Sequence, residues 1–195
     1  DLLAAEWTAY CTSPVKTADA KKLVNKFAWK DLNNLYNHIE KNQPLKIPDS
    51  VKQNSMTDYF MRTRDLEALG YILYAKQVEP YVTGGDGDWE VIKRDSIKMD
   101  RLIKNGRQLY TVAKKDLFKQ KYAYQVLRLA HYSERYTDVI NWYDAYASKT
   151  MANTVLQPMT LALKAGALFR TGKQKEAAYL FSRVFAASQA KRISN

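Results

Sequence analysis

Apolar residues recur along this chain at spacings of three and four, and no stretch alternates in the two-residue period of a strand. About nine helices are expected. The first covers Leu2–Cys11, and Thr17 caps a second that runs to about Phe27. Leu32, Leu35, Tyr36 and Ile39 then share one side of a third, since positions i, i+3, i+4 and i+7 fall on one face of a 3.6-residue helix. Gln43–Asn54, with Pro44 and Pro48, reads as a loop. Thr57–Tyr81 is strongly helical from Asp65 on, and its apolar residues lie nearly all round, the mark of an interior helix. Pro80 and the run Thr83-Gly84-Gly85-Asp86-Gly87-Asp88 end it. A helix over Asp95–Lys114 turns Met99, Leu102, Ile103, Leu109, Tyr110 and Ala113 to one side.

From Asp116, a plausible N-cap, the pattern becomes paired. Leu117–Ser133 is followed by a helix carrying Tyr136, Val139, Ile140, Tyr143 and Ala147. Thr154–Thr171, closed by Gly172 in the C′ position, is followed by Lys173–Ala190. Tyr143 and Phe181 stand at matching places in the two second helices, 38 residues apart, where they are expected to pack between pairs. Helix pairs with a period of about 34 to 40 residues are the signature of helical repeats.

The last pair resembles a tetratricopeptide repeat. Ala177-x-x-x-Phe181 matches the family's A-x-x-x-F element, and Gly166-x-x-Phe169 resembles its G-x-x-Y. Ala162 and Ala165 depart from it, standing where the family prefers Trp and Leu. Val139-x-x-x-Tyr143 is a looser counterpart in the preceding pair, and Phe118–Tyr132 looks like helical-repeat proteins of unknown function in Bacteroidota. The resemblance covers residues 115–195 as two repeat-like pairs and implies a right-handed superhelix of antiparallel helix pairs. Residues 1–114 are helical without a family signal, and the whole is expected to form one continuous helical domain.

Composition narrows what such a chain can be. Its 195 residues are 46% hydrophobic, with fourteen Tyr, four Trp and six Phe, so disorder does not describe the whole. Cys11 stands alone, which excludes a disulfide scaffold, and no run of about 18 apolar residues offers a membrane span. The chain opens at Asp1 with neither Met nor a basic, apolar leader. Either a leader has been removed, in which case a periplasmic or cell-surface location is expected, or the chain is a piece of a longer one.

The paired helices carry two polar stripes. Lys121, Gln125, Arg128 and Tyr132 fall on one line of the first, and Gln157, Thr160, Lys164 and Thr171 on one line of the third. In a solenoid these stripes would line a groove for an extended, acidic protein or peptide segment, with Arg128 and Lys164 pairing carboxylates and Tyr132 giving a rigid contact.

Charge adds a second candidate. The formal net charge is +11, and ten Lys and Arg against three Asp between Lys93 and Lys121 place +7 of it in 29 residues. Arg94, Lys98, Arg101, Lys104 and Arg107 lie opposite the apolar side of their helix, as a solvated face or as a phosphate-contacting surface.

Catalytic chemistry is sparse. His38 and His131 are the only histidines, and each reads as structural. With Cys11 they form no zinc set, and Asp86 and Asp88 lack EF-hand spacing, so Thr83–Trp89 reads as a turn anchored by Trp89. No metal and no cofactor are expected. An all-α, non-catalytic scaffold for a protein or peptide partner is the leading expectation. Nucleic-acid binding through residues 93–121 comes second, and an enzyme using Asp86, Asp88 or His131 a distant third.

Overall fold

The computed structural model describes residues 2–12, 14–83, 95–148 and 154–193, with side chains described from residue 3 to residue 187. The protein is all-α. Eleven α-helices and one short π-helical segment make up its regular structure among these residues. Among the described residues no helix is long and apolar enough to cross a membrane. The chain divides into two compact units, residues 1–77 and 78–195, the division falling inside a helix.

The first unit contains α1 (Leu2–Cys11), α2 (Thr17–Asn25), α3 (Trp29–Lys41), α4 (Asp49–Lys52), α5 (Ser55–Thr63) and most of α6 (Leu66–Val82). In α3, Leu32, Leu35 and Ile39 recur at three and four and are all buried. They join Leu23, Met56, Phe60, Leu69 and Ile72 in a core that water does not reach. Each such side chain contributes roughly 1.5–3 kcal/mol by leaving water. Asn42, in the left-handed region at φ 54°, ends α3 by returning its N–H to the His38 carbonyl.

The short helix α4 lies inside the stretch Gln43–Asn54 expected as a loop, and α5 starts directly after it. Asn54 caps α5 by accepting from the N–H groups of Met56 and Thr57, while its own amide donates to the Asp19 carbonyl at 3.0 Å. The stretch expected to run from Thr57 to Tyr81 is interrupted at Arg64, which is left-handed at φ 55°. Its guanidinium donates to the Ile39 carbonyl. The adjoining Asp65 holds the break in place. One carboxylate oxygen accepts the Ala68 N–H at 3.1 Å, and the other accepts the hydroxyls of Tyr10 at 2.5 Å and Tyr59 at 3.3 Å. Pro80 sits inside α6 and near its end, where the lost N–H costs one hydrogen bond of the last turn.

The second unit holds the end of α6 followed by α7 (Ser96–Val112), α8 (Asp116–Tyr132), α9 (Tyr136–Trp142), the π-helical segment Tyr143–Ala147, α10 (Gln157–Arg170) and α11 (Gln174–Ile193). Helix α7 packs along α8, α9 on α8 and α10, and α10 along α11. Asp95 caps α7 by accepting the Lys98 N–H at 3.0 Å. Lys115, not Asp116, occupies the cap position of α8. Asp116 opens the helix instead, and its carboxylate sits in the positively polarised first turn. Phe118, Leu127, Leu129 and Ala130 of α8 are almost wholly buried.

The turns that join α8 to α9 and α10 to α11 are built alike. In the first, Ser133 donates its hydroxyl to the Leu129 and Ala130 carbonyls, Glu134 is left-handed at φ 61°, and the Arg135 N–H returns to Ala130 at 2.9 Å. In the second, Thr171 donates to Ala167 and Leu168, Gly172 is left-handed at φ 82°, and the Lys173 N–H returns to Leu168 at 2.9 Å. Every partner lies 38 residues after its counterpart. Val139 and Ala177, again 38 apart, are both buried one turn into the following helices. The sequence period is thus repeated in hydrogen-bonding and backbone conformation.

Phe181 breaks the correspondence. Expected to pack between pairs, it is 43% exposed, and of the residues of α11 whose side chains are described Ala177 alone is buried. Phe169, on α10, is also exposed.

Candidate basic and aromatic pocket

Arg94, Asp86, Asp88 and Trp89 lie outside the described residues. The two polar stripes are placed differently from the expectation of an open groove. Lys121, Gln125 and Thr160 are buried, so the faces that carry them are packed against neighbouring helices rather than open to a ligand. The polar groups on these helices are largely satisfied within the unit. The Arg128 guanidinium donates to Gln125 Oε1 at 3.2 Å and to the Val82 carbonyl at 3.4 Å, and lies 5.3 Å from the Tyr124 ring centroid. Lys164 pairs with Asp144 at 2.6 Å above the Tyr143 ring, and Thr160 donates to the Leu156 carbonyl. Tyr132 is half-buried with its ring edge-on to His131, and Gln157 is likewise half-buried.

Neither histidine sits beside a nucleophile in the contacts described. His38 Nδ1 is 2.6 Å from the Gln43 carbonyl at the end of α3. His131 is packed against Tyr132 and Tyr136, and a side chain at Gly166 would meet its ring at 2.8 Å. Burial, with the positive charge of Arg170 behind it, lowers the His131 pKa below the ordinary 6.5 against the opposing pull of a bond to the Leu163 backbone, and holds the ring neutral. Among the described residues no three of His, Cys, Asp and Glu converge as a metal site.

The basic helix behaves otherwise. Lys98, Arg101, Lys104 and Arg107 are all exposed on α7. Lys98 pairs with Asp95 one turn back. Lys104 and Arg107 form one wall of a cavity of about 510 Å³ within the second unit, a volume in the usual range for ligand sites. Its α7 wall runs Asp100, Ile103, Lys104, Arg107, Gln108, Tyr110 and Thr111, residues three and four apart on one side of the helix. Ala123, Val126 and Leu127 of α8 give an apolar floor, and Arg135, Trp142 and Tyr146 close the far side.

The π-helical segment bears on this far wall. Its wider turn, marked by the Ser148 N–H bonding back to the Tyr143 carbonyl at 2.9 Å, advances the facing by about one residue. Tyr146 thereby faces the cavity while the adjoining Ala147 is buried. Tyr110 and Tyr146 meet at 5.1 Å between ring centroids, and burial, more than the neighbouring phenol, raises the Tyr110 pKa.

Charge within the cavity is unevenly matched. Arg135 is held on two sides, by Asp100 at 2.7 Å and Asp138 at 2.9 Å. Lys104 and Arg107 form no ion pair among the described residues. The Arg107 guanidinium lies 4.6 Å from the centre of the Trp142 ring, with that of Arg135 at 5.9 Å. A guanidinium held over an aromatic face in a cation–π contact can still donate N–H groups to a carboxylate or phosphate.

Sequence reasoning named Lys104 and Arg107 but not Arg135, Trp142, Tyr110 or Tyr146 as their neighbours. Arg135 caps α9 and Trp142 ends it, seven residues later, and that spacing was the available signal. Comparison with protein-family models, curated proteins and solved structures gives no match.

Proposed function

We propose that this chain is a non-catalytic, tetratricopeptide-repeat-like scaffold whose second unit binds an acidic segment of a protein partner. The observation that carries the reading is the cavity between α7, α8 and α9, where Lys104 and Arg107, which form no ion pair among the described residues, stand beside apolar side chains of α8. The repeat part of the reading is supported by the 38-residue correspondence of the α8–α9 and α10–α11 turns. Binding moves from the expected groove stripes to the α7 side, because Lys121, Gln125 and Thr160 are buried.

A second reading, nucleic-acid binding, is favoured by the exposure of Lys98, Arg101, Lys104 and Arg107 along one helix. Titration of the full chain against labelled acidic peptides and labelled single-stranded DNA, over a range of salt, separates the two. The scaffold reading expects peptide binding that survives physiological salt and is lost in a Lys104→Glu, Arg107→Glu variant. DNA binding that is tighter than peptide binding, with a steep salt slope, would replace it.

A further inference from the structure

Away from the cavity, the last helix carries a surface of its own. Beyond the reading above, we infer that α11 and the turn before it lie on an anionic lipid bilayer, the helix parallel to the membrane plane and its aromatic side chains sunk among the headgroups.

The apolar load comes first. Tyr179 and Phe185 are each 64% exposed and Phe181 43%, and Phe169, at the end of α10, is 54% exposed. Phe181 and Phe185, four residues apart, are neighbours on the helix surface. Four exposed rings in so short a stretch mark an interaction surface in a way that a single exposed apolar residue does not. The preceding pair shows the contrast. Tyr143, the counterpart of Phe181, is half-buried with the Lys164 ammonium 4.8 Å from its ring centre. Charge comes second. Arg170, Lys173, Lys175 and Arg183 are exposed, and Glu176 is the one carboxylate between Arg170 and Ala187. Rings and cations on one helix suit an anionic interface, where lysine and arginine lay their stems along apolar surface and reach phosphates with their heads.

Shape separates a bilayer from the other occupants. Tyr179 and Phe181, two residues apart, project roughly 160° from each other round a helix of about 3.6 residues per turn. A docking helix, from a second copy or another protein, covers one stripe and would leave Tyr179 or Phe181 in water. A fluid interface takes in the whole outer half of the helix, where the small residues Ala178, Ser182 and Ala186 are also exposed. A single-stranded nucleic acid needs a basic groove along which its backbone runs, and one helix face is convex.

The test is co-sedimentation of the full chain with vesicles of phosphatidylcholine, with and without phosphatidylglycerol, at physiological ionic strength. Binding should be at least about tenfold tighter to the anionic vesicles. Phe181→Ser with Phe185→Ser, both exposed and neither changing the charge, should weaken it at least about tenfold. Lys104→Gln with Arg107→Gln, which removes charge from α7, should weaken it less. Amide exchange in α11 of the native protein should slow when anionic vesicles are added, a readout that needs no variant. Unchanged binding in the Phe variant, a larger loss in the α7 variant, or unchanged exchange in α11 would overturn the inference. So would a dimer of the free protein that the Phe variant dissolves, or a single-stranded oligonucleotide whose binding that variant abolishes.

Discussion

Exchanging residues between the two equivalent turns gives a sharp test of the repeat. Glu134 and Gly172 hold the same left-handed place, at φ 61° and φ 82°. A residue with a Cβ loses roughly 1–2 kcal/mol in that region relative to right-handed backbone. Glycine avoids this loss but gives up about 0.5–1 kcal/mol more conformational freedom on folding. Glu134→Gly should therefore stabilise the protein by about 0.5–1 kcal/mol. Gly172→Ala should destabilise it by a similar amount, and by no more, because no atom lies within 4 Å of where the new Cβ would stand. Urea unfolding followed by circular dichroism reads both as opposite shifts of midpoint at unchanged slope. Loss of stability in Glu134→Gly, or no change in Gly172→Ala, would refute the argument that backbone conformation at C′ governs these turns alike.

Three other outcomes follow from contacts described above. Gly166→Ala should cost about 1–3 kcal/mol, since its methyl would stand 2.8 Å from the His131 ring, and part of that cost should be recovered in the double variant with His131→Ala. As pH falls through about 6.5 the unfolded chain takes up a proton that the folded His131 refuses, so stability should decline from there toward the lower folded value. His131→Gln should flatten the difference between melting temperatures at about pH 7.5 and about pH 5.5. Burial, then the charge of Asp65, pushes the Cys11 thiol up to about 11, so a disulfide reagent should label it quickly only after unfolding. Fast labelling of the native protein would show that α1 opens.

The helices were legible where apolar spacing alone decides them. Leu32, Leu35 and Ile39 announced the buried side of α3, and Met99 and Ile103 that of α7. The 38-residue period was visible in Tyr143 and Phe181, and the structure carries it in the turns instead, through Ser133 and Thr171. Periodicity says which residues share a face, not whether another helix covers it. Lys121, Gln125 and Thr160 share polar faces as expected and are buried all the same. The break at Arg64 was hidden because arginine seldom takes the left-handed region. What secures it is a carboxylate bonded to Tyr10, 55 residues away in sequence. The pocket was half legible for a related reason. Its cations lie on one helix, but Trp142 and Tyr146 reach them only after the chain has folded back through α8, and a π-turn sets the facing of Tyr146.

Helix α11 has a consequence for how the second unit opens. Between Gln174 and Ala187 only Ala177 is buried, whereas α8 buries ten of its seventeen residues. Amide protons in α11 should therefore exchange through a local opening that requires a small part of the global unfolding energy, while those of α8 wait for the whole unit. Among the described residues none of α11 lines the cavity. Fraying of the last helix and occupancy of the pocket are thus separate equilibria, and ligand bound at Arg107 should slow exchange in α7 and α9 while leaving α11 to open at its own rate.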